Sequence, residues 1–186
     1  MGVLLKDSSV QAVFLDRDGT LGGTDHVLLP GQLELFPFVQ ESIHRLKAAG
    51  IWVYSFTNQP LIARGEAVRE DFEQELLSFG FDKVYLCPHE HGEGCLCRKP
   101  ATGMLMQAAN ENGLDLKQCV VIGDRWKDMV AAYEAGCNRV LVKTGAGQRE
   151  WDKYQNDEFF GSWKAAVPHF IAEDLNDAVR WVFERS

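Results

Sequence analysis

The chain has 186 residues, enough for one domain with a sizeable core, and 46% hydrophobic with 25% charged side chains is an ordinary globular balance. With 27 acidic against 19 basic side chains the formal net charge is −8, which argues against non-specific nucleic-acid binding through a basic face. No apolar run approaches the ~20 residues of a membrane span, and five clustered cysteines, an odd number, do not make a secreted disulfide framework. The N-terminal MGVLLKDSSV is too short and too weakly basic for a secretory leader, so a reducing cytoplasm is expected.

Residues 10–15 form an apolar run that predicts a buried strand. A helix is expected over residues 38–49, with Val39, Ile43 and Leu46 on one face and Gly50 ending it in a left-handed conformation. Residues 51–56, IWVYSF, read as a second strand. Val68, Phe72, Leu76 and Phe79 recur at helical spacing before Gly80. Residues 83–86, KVYL, predict a third strand that feeds a cysteine-rich loop. A helix over residues 102–112 is closed by Gly113, and residues 119–122, CVVI, are strand. Residues 128–135 are helix before Gly136, and residues 139–142, RVLV, are strand. Asp174 is the expected N-cap of a final amphipathic helix carrying Leu175, Ala178, Val179, Val182 and Phe183. The aromatic stretch 151–163 reads either as a loop packed on the sheet edge or as an oligomer contact.

Alternating strand and helix predict a parallel sheet covered on both faces. In such sheets ligands bind beyond the carboxyl ends of the strands. The residues placed there are Asp16-Arg17-Asp18-Gly19-Thr20, Thr57-Asn58-Gln59, Arg98-Lys99, and Gly123-Asp124 with Asp128 one turn on. Carboxylates crowded at one edge repel unless a hard divalent cation such as Mg²⁺ joins them. That ion would bring a phosphate, whose oxygens Thr57, Asn58 and Lys99 could hold. Thr57 and Asn58 would equally suit the cap of a following helix.

The segment CPHEHGEGCLCRKP is a second constellation. In extended chain, residues i and i+2 face the same way, so Cys87 with His89 and Cys95 with Cys97 form two jaws. Four N/S ligands without water or carboxylate describe a closed structural Zn²⁺ site. Three thiolates around a divalent ion leave one net negative charge beside Arg98 and Lys99. His91 is an alternative to His89, with a solvent-facing position expected. Cys119 and Cys137 read as small buried hydrophobes.

DRDGT, TNQ, the lysine of CRKP and GDRWKD, in this order and at strand ends, resemble the four motifs of the haloacid-dehalogenase-like phosphatases. CPH, five residues, then CLCRKP resembles the branch holding heptose-bisphosphate and histidinol-phosphate phosphatases. The resemblance spans roughly residues 13–147. It implies a single Rossmann-like domain over residues 1–186 with no separate cap. It implies Asp16 as nucleophile and Asp18 as acid, then base. It also implies Mg²⁺ held by the Asp16 side chain, the Asp18 carbonyl and Asp124, and Lys99 stabilising the phosphoryl oxygens. Asp128 would orient Lys99 or a metal-bound water. LIARG and LVKTGAGQ resemble the heptose enzymes more, and Arg64 and Arg98 would suit a bisphosphate. Pro60-Leu61 and Gly22-Gly23 depart from the heptose pattern. The expected activity is therefore Mg²⁺-dependent hydrolysis of heptose 1,7-bisphosphate at the 7-phosphate, with histidinol phosphate as the alternative substrate. A catalytically silent zinc-loop binding protein is the alternative of another class, which the presence of both Asp16 and Asp18 disfavours. The expected partner is a small phosphorylated metabolite, with neither nucleic acid nor membrane, and the expected state is a monomer.

Overall fold

The computed structural model describes residues 10–185; residues 1–9, most of the segment read as lacking a leader, and residue 186 lie outside the described residues. The elements in chain order begin with β1 (Ala12–Leu15), α1 (Val39–Ala48), β2 (Trp52–Ser55), β3 (Thr57–Asn58), α2 (Arg69–Ser78) and β4 (Leu86–Cys87). They continue with α3 (Gly103–Asn112), β5 (Cys119–Gly123), α4 (Trp126–Ala135), β6 (Asn138–Val142), α5 (Gly147–Gln155), α6 (Gly161–Ala165), β7 (Phe170–Ala172) and α7 (Leu175–Glu184). The main sheet has the order β2-β1-β5-β6-β7, and every neighbouring pair in it is parallel.

The strands are apolar on both sides because both sides are covered. In β1, Val13 and Leu15 join one apolar cluster with Val39, Ile43 and Leu46 of α1 and Ala178, Val179 and Val182 of α7. Ala12 and Phe14, one residue out of step, join the opposite cluster with Met104, Leu105 and Ala108 of α3 and Ala131 and Ala132 of α4. This is the period-two split of a strand buried on two faces. Register then places the site. Leu15 pairs with Ile122, so the residues just past each, Asp16 and the Gly123-Asp124 step, emerge side by side.

Three expectations need correction. Residues 83–86 were expected as a full strand; they contribute one bridge, Lys83 to Tyr54, and the two-residue ladder of Leu86–Cys87 against Thr57–Asn58. Ser55 marks the interruption: its hydroxyl donates to the Tyr85 carbonyl (3.0 Å) and accepts from the Tyr85 N–H (2.8 Å), so that N–H bonds a side chain, while the Tyr85 carbonyl also accepts from the Thr57 N–H. The helix expected over residues 128–135 begins two residues earlier, at Trp126. The aromatic stretch is not a loop: it spans most of α5 and the start of α6, and packs on a third cluster around Trp126 and Leu141. Trp126 is fully buried, stacks on Tyr154 at 5.0 Å and Phe159 at 4.8 Å, and donates its indole N–H to the Trp163 carbonyl at 2.6 Å. Among the described residues no helix is long and apolar enough to cross a membrane.

Candidate active site and metal centre

Asp16, Asp124 and Asp128 meet at the carboxyl edge of β1 and β5, with one oxygen of each within 4.8 Å of the others, and all three are buried. Each accepts from a backbone N–H. Asp16 accepts from the Arg17 N–H at 2.8 Å. Asp124 accepts from the Ala146 N–H at 2.8 Å, in the loop after β6. Asp128, in the first turn of α4, accepts from the Arg125 N–H at 3.0 Å, as a capping carboxylate does. Gly19 permits the crowding: its φ is +83°, and a Cβ there would lie 2.1 Å from the Asp124 Oδ2.

Such a cluster is electrostatically incomplete. Burial, then the charges of Asp16 and Asp128, push the Asp124 carboxyl well above the usual carboxylate range. An all-oxygen donor set of this kind fits a hard divalent cation, and Mg²⁺ matches its chemistry.

Lys99 supplies the cation that the protein itself carries. Its ammonium lies 3.0 Å from Asp16 and 2.8 Å from Asp128, and donates to the Phe56 carbonyl at 2.6 Å. Burial opposes its charge, but Asp128 and Asp16 outweigh that and hold its pKa above the ordinary lysine value. Asp128 pairs with Lys99 and caps α4 as well. Asn58 fixes the Lys99 backbone in turn, accepting from its N–H at 3.1 Å. Thr57 and Asn58 form β3 rather than a helix cap; the next helix, α2, starts only at Arg69.

Asp18 faces the same pocket. One oxygen accepts from Arg17 Nη1 at 2.7 Å and from the Leu28 N–H at 2.9 Å; the other accepts from Gln59 Nε2 at 2.9 Å. Burial raises its pKa, opposed first by Arg17. Asp16, Asp18, Thr57, Asn58 and Lys99 all line one pocket, together with Asp25, His26, Val27, Arg125 and Lys127.

Two residues expected to bind substrate are not in this lining. Arg64 is half-exposed, pairs with Glu90 and does not line the pocket. Arg98 is also outside the lining, and donates to the His89 carbonyl at 2.9 Å, tying the cysteine loop together. Beside Lys99, the cations that face the pocket are Arg125 and Lys127, both inside GDRWKD. Their signal was placement: both flank a carboxylate at the strand-to-helix turn. The wall of residues 25–27 carries no periodic pattern. It is brought in by contacts distant in sequence, Arg125 donating to the Asp25 carbonyl and Arg149 pairing with the Asp25 carboxylate at 2.9 Å.

The second constellation also assembles. Cys87, His89, Cys95 and Cys97 bring one S or N atom each to within 4.8 Å of one another. His89 Nδ1 is 3.2 Å from Cys97 Sγ and 3.4 Å from Cys87 Sγ, and Cys87 is 3.6 Å from Cys95. A tetrahedron with metal–sulfur bonds of ~2.3 Å has edges of about 3.8 Å, so the cage has the size for Zn²⁺. Burial pushes the Cys87 thiol up to about 12, aided by the neighbouring thiols, which is the cost a bound cation would remove. His91 is exposed and not in the cluster.

Comparison with known proteins gives concordant matches. A family model described as haloacid dehalogenase-like hydrolase matches residues 24–136, and a second HAD-like hydrolase model matches residues 96–178. A D-glycero-D-manno-heptose-1,7-bisphosphate 7-phosphatase of Thermosynechococcus vestitus is 36% identical, covering 92% of this chain and 94% of its own. The corresponding D-glycero-beta-D-manno-heptose enzyme of Haemophilus ducreyi is also 36% identical, over 86% and 97%. Among solved structures, the D,D-heptose 1,7-bisphosphate phosphatase of B. bronchiseptica, complexed with magnesium and phosphate, superposes with a TM-score of 0.78. It is 29% identical over 95% of this chain and 99% of that one.

Proposed function

The chain belongs to the haloacid dehalogenase-like hydrolase family and is a phosphatase, and from that premise we propose that it hydrolyses D-glycero-D-manno-heptose 1,7-bisphosphate at the 7-phosphate. The observation that carries this reading is the convergence of Asp16, Asp18, Asp124 and Lys99 at one sheet edge, in a chain that aligns almost end to end with enzymes of that activity.

The residues perform the steps as follows. The Asp16 carboxylate attacks phosphorus and forms a P–O bond as the bond to the sugar oxygen breaks; Asp18 gives its proton to that departing oxygen. Asp18, now a carboxylate, takes a proton from water as the water oxygen bonds to phosphorus and the Asp16–phosphorus bond breaks. Lys99 meets the charge on the equatorial oxygens, and Thr57 and Asn58 donate to them. Asp16, the Asp18 carbonyl and Asp124 would hold Mg²⁺, which when bound neutralises phosphoryl charge and keeps the displacement in line. Asp128 holds Lys99.

A bisphosphate has a second anionic group to seat. Arg125 and Lys127 face the pocket and are the proposed seat, in place of Arg64. Each charge-assisted contact contributes about 1.5–3 kcal/mol. The bisphosphate should therefore exceed histidinol phosphate in kcat/KM by at least about tenfold. Assay of both substrates with Mg²⁺ decides; a preference for histidinol phosphate would overturn the sugar assignment and leave the phosphatase intact.

The cysteine loop is proposed as a structural zinc site. Protein purified without chelators should carry about one zinc per chain, because apparent binding free energies at such sites reach ~10–16 kcal/mol. Elemental analysis without zinc would rule the site out. Cys95→Ser should lower the melting temperature more than it changes kcat, since Cys95 shapes a loop and touches none of the pocket residues' ion pairs. We further propose one domain across residues 1–186 without a separate cap, monomeric and cytoplasmic. The aromatic stretch supports the monomer in that Tyr154 and Phe159 stack on Trp126 and Trp151 and Trp163 pack on the same cluster, which leaves Phe160 as its exposed ring.

A further inference from the structure

A buried line of charge runs from α2 to Asp18. Arg17 has no exposed surface, yet its guanidinium makes hydrogen bonds along its whole edge. Nε donates to Glu75 Oε2 at 2.7 Å, Nη1 to Asp18 Oδ1 at 2.7 Å and the Leu28 carbonyl at 2.9 Å, and Nη2 to the Leu29 carbonyl at 3.3 Å. Its face packs over the Phe72 ring, 5.0 Å from the centroid. The other oxygen of Glu75 accepts from the Gly31 N–H at 2.8 Å, so one helix side chain fixes both the arginine and the loop that surrounds it. Neither Arg17 nor Glu75 lines the pocket.

We infer that Glu75 and Arg17 are positioning residues that set the orientation of the Asp18 carboxyl, an inference that rests on the proton-transfer role proposed for Asp18. A planar fork with its donors engaged cannot rotate without breaking several bonds at once. The Asp18 oxygen it grips is also held by the Leu28 N–H, and Leu28 belongs to the loop that Glu75 anchors. Gln59 holds the second oxygen. The carboxyl is therefore aimed before substrate arrives. Removing Glu75 leaves the Arg17 Nε without its acceptor and the loop without its anchor, and both supports of one Asp18 oxygen slacken together. Proton transfer demands a heavy-atom separation of about 2.6–3.2 Å, and a misplacement of ~1 Å costs up to about a hundredfold.

The test exploits the leaving group. A sugar alkoxide needs the Asp18 proton to depart; p-nitrophenolate departs without it. In Glu75→Leu, kcat/KM for an alkyl phosphate ester, the sugar phosphate that the protein turns over, should fall about ten- to a hundredfold. For p-nitrophenyl phosphate it should fall less than about threefold, since its first step asks nothing of the acid. Glu75→Gln keeps an oxygen acceptor and should fall between wild type and Glu75→Leu. Asp18→Asn is the reference and should show the same discrimination in larger measure. Equal losses on both esters in Glu75→Leu, or no loss on either, would overturn the inference while discrimination in Asp18→Asn upholds the role of Asp18. If Asp18→Asn treats both esters alike, the role proposed for Asp18 falls, and the inference with it.

Discussion

Asp16→Asn should leave a folded protein with at least about a thousandfold less turnover on every phosphate ester, the scale of loss seen when a covalent nucleophile is removed. An amide oxygen is a poor nucleophile and a poor Mg²⁺ ligand, so the first bond to phosphorus does not form. The fold should survive because the substitution is isosteric and the amide can still accept from the Arg17 N–H, which Asp16 holds at 2.8 Å. It also removes one of three like charges crowded within 4.8 Å, so stability in metal-free buffer should not fall. Turnover is read with each ester at saturating Mg²⁺, and stability by thermal melting in chelator. Near-wild-type rates in a folded Asp16→Asn protein would rule out an aspartyl-phosphate path through this residue.

The parts of the fold that could be read from sequence are those set by local pattern. β1, β5 and β6 are apolar runs buried on two faces, and α1 and α7 carry apolar stripes, so each announced itself. The glycines after α1, α3 and α4 all take the left-handed conformation, as helix stops at Gly50, Gly113 and Gly136 require. β7 was missed because three residues behind Pro168 carry too little pattern. α5 and α6 were missed because their aromatics signal a partner without naming it, and the partner, Trp126, lies on another helix.

The site divides along the same line. Asp16, Asp124, Lys99 and the cysteine cage follow from strand ends and spacing, because a parallel sheet delivers its strand ends to one edge. The pocket wall does not. Arg125 lines the pocket while Arg64 pairs with Glu90 outside it. Nothing near Glu75 in the sequence suggests that it reaches an arginine 58 positions away.

Lys99→Met should both inactivate and destabilise the protein, and a second substitution should separate the two effects. The Lys99 and Asp128 side chains have no exposed surface, and the ammonium bridges Asp128 at 2.8 Å and Asp16 at 3.0 Å. Removing one member of a buried pair leaves an uncompensated charge, at a cost of about 3–5 kcal/mol. Adding Asp128→Asn deletes the stranded charge, while the new amide oxygen can still accept from the Arg125 N–H at the start of α4. Denaturant unfolding in Mg²⁺-free buffer should then show the Lys99→Met/Asp128→Asn protein recovering more than about half of that loss. Activity should not return. The cation proposed to meet the phosphoryl oxygens is still missing, and loss of one such stabilising group costs about a hundred- to a thousandfold in kcat. If the double variant instead regained both stability and activity, the contribution of Lys99 to turnover would be its neutralisation of Asp128, and its direct contact with the phosphoryl group would have to be abandoned.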